Sequence, residues 1–551
     1  MNGEKLIKYK ITRRNILLSL AGIGIAGLSG FRFFKSKIQN KIIPGKIDGA
    51  SFIRGHRLKD LNFPSPSKTI EKSVVIVGSG ISGLTAAYNL KKNNMNDFVL
   101  LELENFLGGN SSSRENKISR YPLGAHYVPL LSEESIEAKA LFEDLSIITG
   151  YSTDGKKTPI YNEYYVCSDP HERLFLHGRW QEGLIPYENL PQKDLEEIER
   201  FLSHTNELKS KRGRDGKRVF AIPMEKSSSD EQFKKLDKIS FKEYLLDRNY
   251  RSEYLFWYVN YCCRDDFGMG LEQVSAWAGL HYFAGRNGKG HLLSSGDVIT
   301  WPEGNGWIAK KLQESVKDHC QKNKIVFNIE EKGDLALLDY FDFELEKTIR
   351  IKSKKIIYSA PRFTALRTLK KWRDKLPSWS QGLDYAPWMV ANISLKEKPT
   401  DSSSPLSWDN VNFNGRSLGY VVATHQSFKI KRNETVITLY WPLSHLSPRK
   451  ARIWALGRSH QDWVKDVISE LDAMHPDIEE IISNIDICLW GHAMISPKVN
   501  SLWGQSRAAM NKQEGPVHFA HSDMSGFSIF EEAHYWGMKA SGDVLKELND
   551  G

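Results

Sequence analysis

Lys72-Ser-Val-Val-Ile-Val-Gly-Ser-Gly-Ile-Ser-Gly-Leu-Thr-Ala-Ala-Tyr-Asn-Leu90 is the stretch on which the rest of the chain is organised. Val74 to Val77 are a continuous β-branched run, which suits a strand covered on both faces of a parallel sheet. Gly78, Gly80 and Gly83 follow at G-x-G-x-x-G spacing, with Ile81 and Ser82 between them, and Leu84 to Asn93 read as a helix. Gly78 makes the tight turn, Gly80 lets backbone approach a pyrophosphate, and Gly83 allows the helix to pack closely on the strand. A diphosphate would meet free N–H groups at the positive end of the helix dipole. A second apolar run, Phe98-Val-Leu-Leu, closes on Glu102, nineteen residues after Gly83. A carboxylate there accepts hydrogen bonds from an adenosine ribose. Glu104 is its neighbour on the same face if the strand continues that far.

The sequel, Leu101-Glu-Leu-Glu-Asn-Phe-Leu-Gly-Gly-Asn110, resembles the second element of the flavin-containing amine oxidoreductase family, which includes amine oxidases, protoporphyrinogen oxidases and carotenoid desaturases. In that family a Gly-Gly pair, usually followed by Arg, passes close to FAD. Here the residues are Gly108, Gly109 and Asn110, the last replacing the Arg. Tyr121-Pro-Leu-Gly-Ala-His-Tyr127 is similar to the family's next segment, so Gly124, Ala125 and His126 join the expected FAD contacts. Trp301-Pro-Glu-Gly-Asn-Gly306 partly matches a turn that borders the family's active site. Lys355 to Pro361 resembles its Ala-Pro strand. Gly515 to Ser541 resembles its closing motif, in which Asp523 matches an acidic residue that meets the cofactor and His521 stands where glycine is usual.

The resemblance implies an α/β protein: a Rossmann-like FAD-binding domain interleaved with a discontinuous α+β substrate domain. The divisions read from the sequence are a leader (1–34), a linker (35–70) and the first FAD-binding part (71–130). A mostly helical substrate part (131–295) follows, then FAD-binding (296–375), a mostly β substrate part (376–485) and FAD-binding again (486–551). In the helical part, Tyr254 to Gly270 crowds aromatics before Arg264-Asp265-Asp266, whose carboxylates suit a cationic group. His281 is a candidate proton carrier near neutral pH. With Asp265, Asp266, His521 and Glu531 it completes the catalytic candidates. Tyr440 and Trp441 are expected to lie towards a pocket.

At 551 residues and 40% hydrophobic content the chain can bury a large core. Its net charge of +9 is concentrated at one end. Residues 1–60 hold 13 Lys/Arg against 3 Asp/Glu, leaving 63 basic and 64 acidic groups in the other 491 residues. A neutral body of this kind lacks the electrostatic footprint of a nucleic-acid binder. Within the leader, Thr12-Arg13-Arg14-Asn15-Ile16-Leu17-Leu18 precedes an uncharged, glycine-rich run to Phe31. This resembles a twin-arginine export signal, with a membrane anchor as the alternative. The expectation is a bacterial protein folded around FAD, passed by the twin-arginine translocase to the periplasm, and either released there or held to the membrane by its N-terminus. Cys167, Cys262, Cys263, Cys320 and Cys488 form no metal-binding or disulfide pattern. No metal is expected, and Cys488 is the candidate for a covalent flavin link. The expected chemistry is oxidation of an amine, polyamines included, by hydride transfer to flavin, which oxygen or another acceptor then reoxidises. The alternatives are a desaturase or dehydrogenase of an apolar substrate and a non-catalytic, FAD-stabilised envelope protein.

Overall fold

The computed structural model describes residues 42–400, 404–427, 433–513 and 515–550. The twin-arginine stretch lies outside them. Two large sheets organise the chain from residue 45 onward. The first contains β2 (Lys68–Val77) and β3 (Phe98–Leu101). Its order is Cys320–Gln321, β3, β2, Lys347–Tyr358, Leu335–Asp342 and Lys324–Lys332, and Val517–Phe519 also pairs with Lys347–Tyr358. β2 is parallel to β3 and to Lys347–Tyr358, so the strand ends at Val77, Leu101 and Tyr358 point the same way. Val74, Val75 and Ile76 are fully buried because helix α2 (Ile81–Lys92) covers one face and the antiparallel layer continues the other.

The second sheet has eight strands, in the order β1 (Ile47–Gly49), Ile482–Ile495, Tyr385–Leu395, Thr435–Pro442, Tyr420–Val422, Asp409–Asn412, Glu172–Leu176 and Arg179–Glu182. Every residue of Tyr385–Leu395 is buried, as its two long neighbours require. The helices Gln192–Leu208, Phe241–Asp247, Glu253–Phe267 and Ala276–Gly285 pack into a cluster beside this sheet.

Three expectations are corrected. The 35–70 segment is not a bare linker, because β1 pairs in parallel with residues 487–489 and helix α1 (Phe52–Asp60) follows. These elements are fixed by polar contacts and carry no hydrophobic periodicity, so a pattern search passes over them. The 131–295 part is less purely helical than expected, since Glu172–Leu176 and Arg179–Glu182 belong to the eight-stranded sheet. The return to the dinucleotide sheet comes after residue 495 rather than at 486, because Ile482–Ile495 pairs along the length of Tyr385–Leu395.

The cysteines are all free thiols. Cys488 lies buried in the middle of its strand, paired with Asp48 and Val390, and burial raises its thiol pKa. Among the described residues no group of His, Cys, Asp and Glu could hold a metal ion, and no helix is long and apolar enough to cross a membrane.

Candidate functional site

The glycine turn after β2 is built as a cradle. Gly78 has φ +95°, a conformation that strains any residue with a side chain. A Cβ on Gly83 would stand 2.0 Å from the Gly78 carbonyl oxygen, so this glycine is what allows α2 to sit against the turn. At Gly80 a Cβ would meet nothing within 4 Å, which leaves space in front of the helix N terminus. No side chain caps that terminus. The Gly108-Gly109 turn comes up against it. Gly108 N–H donates to the Ser79 carbonyl at 2.9 Å, and a Cβ on Gly109 would lie 3.1 Å from Gly80 Cα.

Glu102 is locked beside this cradle. Its Oε2 accepts from Ser79 N–H at 2.8 Å and Ser79 Oγ at 2.6 Å, and its Oε1 accepts from Glu104 N–H at 2.9 Å. Open space at Gly80, an uncapped helix terminus and an anchored carboxylate fit a dinucleotide diphosphate with its ribose. Asn110 Nδ2 donates to the Ala493 carbonyl at 2.6 Å, and its own carbonyl accepts from Ala125 N–H at 2.8 Å. That residue therefore ties the cradle to the next segment.

Residues 123–127 are held from both sides. Trp490 Nε1 donates to the Leu123 carbonyl at 2.7 Å, and Tyr440 Oη donates to the Gly124 carbonyl at 3.0 Å. Asn305 N–H donates to the Ala125 carbonyl at 3.1 Å, and Thr300 Oγ1 donates to the His126 carbonyl at 2.7 Å. A Cβ on Gly304 would collide with His126 Cα at 2.6 Å, so the 301–306 turn needs its glycine to dock here. His126 stacks on Tyr440 with ring centres 4.3 Å apart, and Tyr127 meets Trp408 edge-on at 6.0 Å. Burial pushes the His126 pKa down to about 3, so its imidazole is neutral. Tyr440 thus faces this site. Trp441, one residue on, takes the opposite face of its strand and packs on Trp463.

Facing this aromatic wall is a set of carboxylates. Glu172 and Asp409 are direct partners across a parallel ladder, so they share a face. The next residue of each strand turns the other way, and there Arg173 Nε donates to Asn410 Oδ1 at 2.6 Å. The arginine charge is thereby spent on the far side. The helix Glu253–Phe267 adds Tyr258, Tyr261, Cys262 and Asp265, spaced to lie on one helix face. Ser252 caps its first turn, and Gly268 ends it in the left-handed region at φ +66°. Tyr127 Oη donates to Asp265 Oδ2 at 3.4 Å. Arg286 pairs with Asp266 and stacks over Tyr282 at 4.2 Å.

Glu172, Asp265, Tyr127 and Arg286 are each half-buried, and they lie close enough for Tyr127 and Glu172 to feel the Asp265 charge. Burial pushes Asp265 up to about 7, helped by Asp266, and pushes Glu172 up to about 7, helped by Asp265. Asp409 is raised well above the ordinary carboxylate range by burial, then by Glu172 and Asp265.

The other sequence candidates are placed as follows. Glu531, at the start of the last helix, is buried near Arg286 and Asp266 and is pushed up to about 7 by burial. His281 lies in the helical core. Its Nε2 lies 2.9 Å from the Ala221 carbonyl, its ring stacks on Phe527 at 4.7 Å, and burial lowers it to about 4, which suits a core residue and not a proton carrier. Asp523, the acidic residue of the closing motif, is buried and, like Glu102, is anchored by the protein. Oδ2 accepts from Tyr385 Oη at 2.6 Å and Arg362 N–H at 2.8 Å, and Oδ1 lies 3.0 Å from His521 Nδ1. His521 Nδ1 also accepts from Asp523 N–H at 3.1 Å, so this ring nitrogen is tied to Asp523. Glu172 and Asp409 were not singled out from sequence. Each is the first residue of a short strand and is followed directly by another polar residue, so no local pattern sets it apart.

A family model described as an NAD(P)-binding Rossmann-like domain matches residues 76–145. Among solved structures, wild-type putrescine oxidase bound to putrescine superposes with a TM-score of 0.63 at 16% identity, over 87% of this chain and 100% of that one. Cyclohexylamine oxidase from Brevibacterium oxydans gives 0.62 at 14%, over 87% and 100%. A CLA-producing fatty acid isomerase from P. acnes gives 0.60 at 14%, over 86% and 98%. The chain thus has the two-domain α/β fold of the flavin amine oxidases, with a Rossmann-like dinucleotide-binding part.

Proposed function

We propose that the protein is an FAD-dependent oxidoreductase that oxidises an amine bound as a cation. The observation that carries the reading is the inward-facing set of Glu172, Asp265 and Asp409 beside the aromatic wall of His126, Tyr127, Trp408 and Tyr440, in a fold shared with amine oxidases. FAD is the dinucleotide proposed for the cradle, with the N–H groups at the start of α2, Gly109 and Glu102 as its holders. It supplies a two-electron acceptor for the hydride equivalent leaving the carbon next to nitrogen.

The protein's own residues do the rest. The carboxylates attract the ammonium group, and the rings shield it from water and limit its orientations. An amine must lose its ammonium proton before a hydride can leave the adjacent carbon. A carboxylate with a pKa near 7 is matched to take that proton at neutral pH. Tyr127, donating to Asp265 Oδ2, fixes which carboxylate oxygen remains available. Catalytic efficiency therefore rises as pH passes upward through about 7.

The reading is tested by anaerobic absorbance titration of the purified protein with diamines, polyamines and monoamines. Bleaching of the flavin band by one of these supports it. A flavin reduced by dithionite but by no amine overturns it. Export by the twin-arginine pathway belongs to the same proposal, and Arg13→Lys with Arg14→Lys is expected to hold the protein in the cytoplasm. Unchanged export refutes that part alone.

A further inference from the structure

We propose that residues 46–60 form a latch over the adenosine end of the dinucleotide site, opening for cofactor entry and closing behind it. The inference rests on the FAD reading above, but it concerns a segment which that reading does not use.

In a parallel sheet flanked by helices, ligands lie outside the carboxyl ends of the strands. Here β2, with its glycine turn, lies between β3 and Lys347–Tyr358. Helix α1 touches the chain just beyond both of these neighbours. Gly55 faces Leu103, two residues past the end of β3. On the other side α1 packs on the helix Arg362–Thr368, which comes after Tyr358. It therefore crosses the carboxyl ends on either side of the glycine turn. Its approach to the ribose acid is direct: Ser51 N–H donates to Glu104 Oε1 at 2.8 Å, and Glu104 N–H in turn donates to Glu102.

The segment is attached as a removable part would be. None of the nine residues of α1 is fully buried, and Phe52 and Ile53 are 51% and 70% exposed. The attachment is polar or stacked. Arg54 Nη1 donates to Asn323 Oδ1 at 2.6 Å and to the Leu103 carbonyl at 3.4 Å. Arg57 lies over Phe63 at 4.5 Å and Phe341 at 4.6 Å. At its other end β1 is an edge strand of three residues, joined on one side to residues 487–489. Elements with few buried apolar contacts are the ones that open locally at low cost. The latch also bridges the two sheets, since β1 joins one and α1 covers the other. A closed latch therefore braces both across the cofactor site.

The test uses the full-length flavin-loaded protein and its Arg54→Ala and Ser51→Pro variants. Flavin release is followed by fluorescence on dilution, and uptake by mixing the deflavinated protein with FAD. Loss of the Arg54 contacts is expected to speed release by about tenfold and to speed uptake as well, because an opening step precedes both. Faster release with unchanged or slower uptake marks a plain affinity loss and overturns the latch, as does release within twofold of wild type. A wild-type protein that binds no flavin removes the FAD reading and the latch with it. An independent readout needs no variant: trypsin is expected to cut after Arg54, Arg57 or Lys59 faster in the deflavinated wild-type protein than in the loaded one. Equal cutting overturns the latch while leaving the FAD reading intact.

Discussion

Replacing Glu172 with Gln tests the heart of the proposed site, and its effect on stability can be worked out before any substrate is known. Glu172 faces Asp409 directly across the ladder and feels Asp265, and burial pushes its pKa from the ordinary 4.5 to about 7. A carboxyl group whose folded pKa is raised keeps its proton in the folded protein after the unfolded chain has released it. Its stability contribution is complete below the unfolded value and is lost as pH rises through the folded one. The shift corresponds to about 3 kcal/mol by pH 8. Gln keeps the shape and removes the charge, so the variant should match wild type near pH 4.5 and exceed it at pH 8. With the unfolding entropy expected of a chain this long, about 3 kcal/mol is a rise of roughly 2–3 °C in Tm. The assay is a pair of melting curves at pH 4.5 and pH 8, without added amine. A variant that melts lower than wild type at pH 8, or differs from it equally at both pH values, refutes the argument that Glu172 is a strained, inward-facing charge. The same substitution should weaken amine binding at least tenfold, since it removes one of the groups proposed to hold the cation.

Four further substitutions separate cradle, charge balance and core. Gly80→Val should leave the fold intact and abolish flavin absorbance, because the space it fills is the open one, whereas Gly83→Ala should lower Tm as well as flavin content, its Cβ falling 2.0 Å from the Gly78 carbonyl oxygen. Arg286→Met strands Asp266 as a buried unpaired carboxylate and should cost about 3–5 kcal/mol at neutral pH, read by denaturant unfolding. His281→Phe gives up the hydrogen bond to the Ala221 carbonyl, so it should cost about 1 kcal/mol while leaving amine-dependent flavin bleaching unchanged, and lost bleaching in a stable variant would return His281 to the chemistry.

The cradle was legible in the sequence because its requirements are local. Gly78, Gly80 and Gly83 each answer to backbone within a few residues, and Glu102 comes at the end of the next strand. Asp265 and Asp266 were legible as carboxylates ending an aromatic helix. Glu172 and Asp409 were not, because they become a pair only when strands 237 residues apart lie in register. Nor does a motif match report where a side chain turns. Asp523 stands where the resemblance places an acid, but Tyr385, 138 residues earlier in the chain, takes up its Oδ2. The latch escaped for another reason. Ser51, Arg54 and Arg57 attach it through a peptide N–H, a guanidinium donor and stacked rings, none of which leaves a hydrophobic period to detect.

The charge count around Glu172, Asp265 and Asp409 bears on the choice between a cationic and an apolar substrate. Arg286 is paired with Asp266, and the ladder turns Arg173 to the other face of the sheet, so among the described residues Glu172, Asp265 and Asp409 have no ion-paired cation. Near pH 7 Glu172 and Asp265 are held part-protonated by burial and neighbouring carboxylates, and burial raises Asp409 in the same direction. An ammonium entering among them favours their ionised forms and must expel protons. An apolar ligand strips remaining water from the same carboxyls, favours their neutral forms and must draw protons in. The sign of proton exchange on binding therefore separates the two readings, whatever the turnover rate. It can be measured by titration calorimetry at pH 7 in buffers of different ionisation enthalpy. Proton release with an amine, diminished in Glu172→Gln, is the expected result. Proton uptake with a fatty acyl ligand, together with no detectable binding of any amine, would turn the assignment towards an apolar substrate.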